Sequence, residues 1–556
     1  MKEVRVGVFI CHCGTNIGGF LDVPGLVKYA LNLPYVVFVQ DNKYTCSESG
    51  LTEIKNAIAE ERLNRVVVAS CTPRTHEPLF KSTCKDAGLN PYLFQFVNIR
   101  DQCSWVHMQE RERATEKAKA LIGMGVARAA LLEPLEETAV EVNPCALVLG
   151  GGITGMTCAL SLANRGFDVK LVEKEDQMGG TLNRLYKLYP TGEEASKLVR
   201  AKIKEIEKNP KIEVFTTSEV EEVEGFVGNY DVTIRRGEKK RILSVGVIIV
   251  ATGAETLKPV GMYGYDGENV ITQLELEQML KKGRISAESV VMIQCVGSRD
   301  EKRVYCSKVC CPTALKNAIL IKEANQDAQV FVLYRDMVAQ GTTYEDYYAE
   351  ARETGITFVK YSPERQPVVQ NRSVRVYDEL LGEEIILPFD LVVLSPPMVA
   401  RRDSANLAQK LKVPVDEYGF FLEAHVKLRP VDFATDGIYV CGCAHWPTNV
   451  SESVFQAYGA ASRASIPMSV GHVKTEPSIS VVDEDECSGC GLCEMTCPFN
   501  AIRVEETEKG RKAKVIAASC KGCGACGAGC PQQAITMRHF TDEQLLAQVI
   551  PLAEAI

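Results

Sequence analysis

Two cysteine runs near the C-terminus constrain the fold more tightly than anything else in the chain. Cys487-x2-Cys490-x2-Cys493-x3-Cys497-Pro498 recurs 33 residues later as Cys520-x2-Cys523-x2-Cys526-x3-Cys530-Pro531. The flanks recur too, as Pro498-Phe499-Asn500-Ala501-Ile502 and Pro531-Gln532-Gln533-Ala534-Ile535. In this spacing the fourth cysteine of each run serves the other of two [4Fe–4S] clusters. One cluster then takes Cys487, Cys490, Cys493 and Cys530, and the other Cys520, Cys523, Cys526 and Cys497. Gly489, Gly491, Gly522 and Gly524 permit tight loops whose amides point at sulfide. Paired zinc knuckles are the alternative. The segment 478–538 is read as an α+β two-cluster domain.

The chain holds 22 cysteines among 556 residues. In a large chain without a signal-peptide layout at MKEVRVGVFI, that number argues for metal or redox centres rather than disulfides. Cytoplasmic residence is the expectation. A net charge of −9 speaks against nucleic acid and anionic membranes as partners. No apolar run reaches the ~18 residues of a membrane span.

Residues 1–133 read as an α/β domain. Val4–Ile10, Tyr35–Val39, Arg65–Ala69 and Leu93–Val97 are short apolar runs of buried-strand type, and helical patterns such as Leu51–Glu61 separate them. Such alternation makes a parallel sheet. Cysteines follow the strands: Cys11 and Cys13, then Cys46, Cys71 and Cys103. Open α/β sheets gather ligands at the carboxyl ends of their strands, so these thiols can converge on one cluster. Cys13, Cys46, Cys71 and Cys103 are the expected set, with the choice between Cys11 and Cys13 open. Inert buried cysteines are the alternative, and Cys84 is read as core. Arg111–Leu132 reads as a closing helix and Pro134–Asn143 as a linker.

Residues 144–470 carry a dinucleotide fingerprint in full context. The strand Cys145–Leu149 enters Gly150-Gly151-Gly152-Ile153-Thr154-Gly155, a helix follows, and a second strand, Asp168–Val172, ends at Glu173-Lys174. Gly150 makes the turn, Gly152 admits a pyrophosphate, Gly155 lets helix and strand pack closely, and Glu173 meets a ribose hydroxyl. Three further stretches identify the dinucleotide as FAD. Met178-Gly179-Gly180-Thr181, Ala251-Thr252-Gly253 after the strand Val245–Val250, and Gly437 to Ala444 resemble the flavin-contacting motifs of thioredoxin-reductase-like flavoproteins. Those end the last motif in Gly-Asp; here Gly442 is followed by Cys443.

Flavoproteins of that kind insert a second dinucleotide fold. Ser289–Ile293 and Val330–Tyr334 supply its strands, but Gln294-Cys295-Val296-Gly297-Ser298 stands where the glycine loop belongs. NAD(P)H is therefore not expected to bind there, and no C-x-x-C pair of the disulfide-reductase type is present. Cys295, Cys306, Cys310 and Cys311 instead suit a third [4Fe–4S] cluster beside the flavin; a zinc site or redox-active vicinal thiols are the alternatives. Lys316, just over a helical turn beyond Cys311, either reaches the flavin or is a solvated helix lysine. After the two-cluster domain, Thr541-x-x-Gln544 is a capping box. It opens a helix (539–556) with an apolar stripe of Leu545, Leu546, Val549, Ile550 and Leu552, expected to pack on that domain, with docking of a partner subunit as the alternative.

In this order the parts resemble the A subunit of heterodisulfide reductase (HdrA), most specifically in Cys11-His12-Cys13-Gly14, in CVGSR…YCSKVCCP and in the twin cysteine runs. The resemblance covers essentially the whole chain. It implies a ferredoxin fold for 478–538, four [4Fe–4S] clusters with one FAD, and Lys316 placed at the flavin. It also implies flavin-based electron bifurcation. Pairs would arrive from a hydrogenase or formate dehydrogenase through a small iron–sulfur adaptor, and leave to ferredoxin and, through the C and B subunits, to a disulfide or other acceptor. A homodimer within a larger complex is expected. Longer members carry an extra ferredoxin insert. Residues 174–294 contain no cysteine, so this is a short form. Similar short subunits serve complexes whose acceptor is not the methanogen heterodisulfide. A stand-alone NAD(P)H-dependent disulfide or sulfur reductase and a non-catalytic cluster scaffold are the competing readings.

Overall fold

The computed structural model describes residues 3–499 and 501–554, with side chains through Pro551. Asn500 of the repeated flank and the side chain of Leu552 lie outside the described residues. The chain divides into two compact units: residues 1–138 with 474–556, and residues 139–473. The N-terminal and C-terminal segments thus belong to one unit.

In the first unit the four apolar runs form one parallel sheet, ordered Val36–Asn42, Val6–Cys11, Arg65–Ser70, Phe94–Asn98. The helix Arg111–Ala130 lies close on it because its small residues allow the approach. A Cβ on Gly125 would sit 2.4 Å from the Val97 side chain. The ferredoxin segment adds two antiparallel pairs, Ser480–Val482 with Ile535–Met537 and Ile502–Thr507 with Gly510–Val515. The expected capping box forms, Thr541 N donating to Gln544 Oε1 and Gln544 N to Thr541 Oγ1. The final helix, Asp542–Glu554, packs against Arg111–Ala130 rather than on the ferredoxin strands, and its stripe residues Leu545, Leu546, Val549 and Ile550 stay exposed, which corrects the sequence expectation on both counts. Polar contacts explain the choice: Gln544 Nε2 donates to the Leu131 carbonyl at 2.9 Å, and Arg128 to the His539 carbonyl at 2.7 Å.

The second unit holds two parallel five-stranded sheets. One is ordered Ile438–Val440, Val247–Val250, Cys145–Leu149, Asp168–Val172, Ile212–Phe215. The other runs Val270–Thr272, Leu391–Leu394, Ser289–Ile293, Gln329–Tyr334, Thr357–Lys360. The central strands Val247–Val250 and Leu391–Leu394 are continuous in Val, Ile and Leu, as burial on both faces requires. Each sheet is accompanied by a three-stranded antiparallel meander, 219–245 for the first and 368–388 for the second. The fold is α/β, with thioredoxin-reductase-like dinucleotide domains and a ferredoxin domain. Among the described residues, no helix is long and apolar enough to cross a membrane.

Candidate functional site

The glycine loop opens onto a cavity of about 830 Å³ in the second unit. Gly150 takes φ 108°, a left-handed turn that an L-side chain resists. A Cβ on Gly155 would lie 1.8 Å from the Gly150 carbonyl oxygen, so this glycine serves helix–strand packing and does not border the cavity. Gly152 differs: a Cβ there would meet nothing within 4 Å. The space it faces is the cavity, so the chain itself does not require that glycine. The helix Ile153–Ala163 begins there with neither a side-chain cap nor an acidic residue in its first turn. Its free amides suit a phosphate.

The other predicted flavin residues gather around the same space. Glu173 accepts from Gly151 N at 2.6 Å and Glu175 N at 2.8 Å, which fixes its carboxylate at the end of its strand. Gly179 N donates to Gly151 O at 2.8 Å and pins the turn holding Gly180 and Thr181 against the loop. Ile153, Thr154, Lys174, Ala251, Thr252 and Gly253 also border the cavity. Lys174 pairs with Asp403 at 2.9 Å. The Thr252 hydroxyl is buried without a partner among the described residues, as expected of a group left for a ligand. Gly442 sits behind this lining, where a Cβ would come within 2.5 Å of Thr154 Oγ1. Cys443 borders the cavity, its thiol turned to the Thr448 carbonyl at 3.3 Å. Size, glycine placement, free amides and the orphaned hydroxyl all fit FAD.

At the carboxyl end of Ser289–Ile293, Cys295 adopts φ 58°. Cys306 accepts a hydrogen bond from Lys308 N at 3.3 Å, and Cys310 and Cys311 open the helix Cys310–Ala324. These four thiols converge. Burial, then the charges of Cys311, Cys295 and Cys306, push Cys310 well above the ordinary thiol range. Cys311 is pushed up to about 12, mainly by burial. Cys295 is raised by burial, with Arg299 and Arg335 acting against the shift. Gathered buried thiolates demand a cationic core, which an iron–sulfur cluster supplies. Cys310 also borders the flavin cavity.

Lys316 borders that cavity too, and it is not a solvated helix lysine. It is 3% exposed, donates to the Lys187 carbonyl at 2.8 Å and pairs with Glu277, which is 0% exposed. Burial pulls its pKa below the ordinary lysine range, and Glu277 opposes the shift. Glu277 also accepts from Tyr186 N at 2.8 Å. Sequence reading missed Glu277, because an acid in Leu274-Glu275-Leu276-Glu277 carries no local sign of being buried.

In the first unit, Cys46 is raised by burial and by the neighbouring Cys11, Cys71 and Cys13. Cys11 accepts from Cys13 N at 3.2 Å and Thr45 N at 3.4 Å. Cys103 stands apart from the expected set. It is fully buried in the apolar core, its pKa is raised to about 11 by burial, and its one charged neighbour is Lys117. Cys487, Cys490, Cys493 and Cys530 line one small cavity, the crossed set that the spacing implies. Cys520 and Cys526 are buried, Cys523 is exposed, and Cys497 accepts from Ala501 N at 3.2 Å. The short helices bearing Cys493 and Cys526 pack together. Among the described residues no three His, Cys, Asp or Glu side chains are close enough to share one metal ion. A cubane cluster holds its thiolates much farther apart.

A flavin cavity flanked by four thiols, joined in one chain to a two-cluster ferredoxin domain, defines an iron–sulfur flavoprotein of the oxidoreductase class. Residues 146–299 match the pyridine nucleotide-disulphide oxidoreductase family, and residues 480–537 the 4Fe-4S dicluster domain. The A subunit of the H(2):CoB-CoM heterodisulfide,ferredoxin reductase of Methanothermobacter thermautotrophicus is 40% identical over 647 residues, covering 99% of this chain and 97% of its own. The iron-sulfur A subunit of the CoB--CoM heterodisulfide reductase of Methanocaldococcus jannaschii is 39% identical over 650 residues, covering 99% of both. Lactococcus lactis thioredoxin reductase is similar over 58% of this chain and 99% of its own, with 18% identity and a TM-score of 0.43. The chain belongs to the family of heterodisulfide reductase A subunits. It is an oxidoreductase whose cofactors are FAD and [4Fe–4S] clusters. The alignments run longer than its 556 residues, so these relatives carry residues that it lacks.

Proposed function

We propose that the chain is the electron-transfer subunit of a heterodisulfide-reductase-type complex that performs flavin-based electron bifurcation. The observation that carries this reading is Cys310, which borders the flavin cavity and belongs to the four-thiol group. When bound, FAD supplies two-electron exchange and the clusters one-electron exchange. The glycine loop and the uncapped helix amides would hold the cofactor's phosphates, and Glu173 a ribose hydroxyl. Cys295, Cys306, Cys310 and Cys311 would hold a cluster against the flavin. Lys316 would keep a positive charge or a labile proton in the cavity, with Glu277 setting its protonation. Cys11, Cys13, Cys46 and Cys71 would hold the N-terminal cluster, and the twin runs the remaining two.

The proposed partners are the B and C subunits or their analogues, ferredoxin, and a hydrogenase or formate dehydrogenase joined by a small iron–sulfur adaptor. The relatives' own names pair a CoB-CoM heterodisulfide with ferredoxin, with H2 or H2/formate as donor. The chain would work as a homodimer within the complex, in the cytoplasm. The test is iron and FAD per chain after anaerobic purification. The expected result is about 16 irons and one FAD, at four irons per cluster. About 8 irons would leave only the ferredoxin clusters and overturn the reading. Rapid bleaching of the flavin by NADH or NADPH would favour a stand-alone reductase.

A further inference from the structure

A directed chain of buried amides ends at the flavin cavity. Asn317 is 0% exposed, Gln273 6% and Ser395 1%. Asn317 Nδ2 donates to Gln273 Oε1 at 2.8 Å, which fixes the orientation of the Gln273 amide. Gln273 Nε2 therefore faces away from Asn317 and donates to Ser395 Oγ at 3.2 Å and Met292 Sδ at 3.5 Å. The Ser395 oxygen is an acceptor in this pair, so its own proton must go elsewhere. No acceptor for it lies within hydrogen-bond reach among the described residues. Buried donors do not stay unpaired without a reason. Gln273 and Ser395 both border the cavity, beside Cys310 and Lys316.

The backbone holds Ser395 in place. It follows the strand Leu391–Leu394, its N–H donates to Ile293 O at 2.9 Å, and its carbonyl accepts from Val296 N at 3.2 Å. The carbonyl oxygen of the next residue, Pro396, lies 3.7 Å from Cys310 Sγ. The serine thus stands on the segment joining the four-thiol group to the cavity.

We propose that Ser395 donates a hydrogen bond to the bound flavin, aimed by the Asn317–Gln273 pair. The proposal rests on FAD occupying this cavity and needs nothing of the partner complex. A donor there stabilises the negative charge the flavin gains on reduction, and so raises its midpoint potential.

The test compares full-length, FAD- and cluster-loaded wild type with Ser395→Ala, Ser395→Thr and Asn317→Leu, by anaerobic spectroelectrochemistry. Ser395→Ala is expected to keep one FAD and the wild-type iron content. At a set potential, its oxidised-to-reduced flavin ratio should rise about tenfold, about 30 mV for a two-electron couple. Its visible flavin band should also shift. Ser395→Thr keeps the hydroxyl and should restore both readings, whereas a purely packing role would be worsened by the extra methyl. Asn317→Leu frees the Gln273 amide to turn and should shift the ratio the same way by a smaller factor. A Ser395→Ala protein with FAD bound, unchanged potential and unchanged band overturns this proposal and leaves the flavin cavity standing. Wild type purified without FAD overturns both.

Discussion

Gly152 and Gly155 belong to one fingerprint, yet the structure gives them separate jobs, and alanine substitution separates them. Gly152 has φ −71° and ψ −179°, which alanine adopts freely, and its Cβ would meet no protein atom within 4 Å. Gly152→Ala should therefore leave the apoprotein as stable as wild type, or more so by ~0.4–1 kcal/mol through lost unfolded-state freedom. The same methyl stands between the helix amides and a phosphate. A hydrogen bond to a charged group is worth ~1.5–3 kcal/mol, so FAD affinity should fall roughly 10- to 150-fold. Gly155→Ala puts a methyl 1.8 Å from the Gly150 carbonyl oxygen, in rigid backbone. It should cost ~1–3 kcal/mol or more in folding, whether or not FAD is present. The assays are FAD titration of the deflavinated chain by fluorescence quenching and thermal unfolding of the same samples. Wild-type FAD affinity in Gly152→Ala would refute the phosphate contact. A Gly152→Ala apoprotein as unstable as Gly155→Ala would refute the open space beside Gly152.

Cys306→Ala should lower the iron content by about four per chain with FAD retained; unchanged iron would remove Cys306 from the ligands. Cys46→Ala and Cys71→Ala should each lose a further four irons, whereas Cys103→Ala, which alters only the core, should lose none. For Glu277→Gln, the buried Lys316 ammonium loses the charge that raises its pKa, so the folded pKa falls further below the ordinary ~10.4. The unfolded chain then binds more protons than the folded one, and the variant's thermal midpoint should rise toward wild type between pH 7 and 10; a gap independent of pH would count against a buried ammonium. His539 is held below the ordinary histidine range, first by burial. Its folded pKa lies below its unfolded one, so its contribution is complete above about pH 6.5 and declines below it. Amide exchange across Asp542–Glu554 should accelerate at pH 5.5 relative to pH 7.5 beyond the intrinsic pH effect, and equal protection at both would rule out the link.

The strands bearing the site were legible because each is a short run of Val, Ile and Leu bounded by turn residues. Cys145–Leu149, Asp168–Val172 and Ser289–Ile293 fall where the periodicity places them, and Phe94–Asn98 is displaced by one residue. The final helix was legible as a helix through its Thr541–Gln544 cap, but its partner was not. The helix's apolar stripe did not mark the buried face, since Leu545, Leu546, Val549 and Ile550 stay exposed while Gln544 is buried. His539, Gln544 and Arg128 decide the partner, from positions about 400 residues apart.

The same division runs through the chemistry. The sequence by itself determined the two ferredoxin cysteine runs, the glycine loop and the absence of a second one. In each, a handful of consecutive residues both builds the loop and supplies the contact, so spacing carries the geometry. The tertiary structure alone brought Cys11, Cys13, Cys46 and Cys71 together while leaving Cys103 in the core. It alone buried Glu277 against Lys316, and aimed Asn317 through Gln273 at Ser395. Those groups come from separate strands and helices. Burial and hydrogen bonding between segments far apart in the chain set their roles, and no local pattern encodes that.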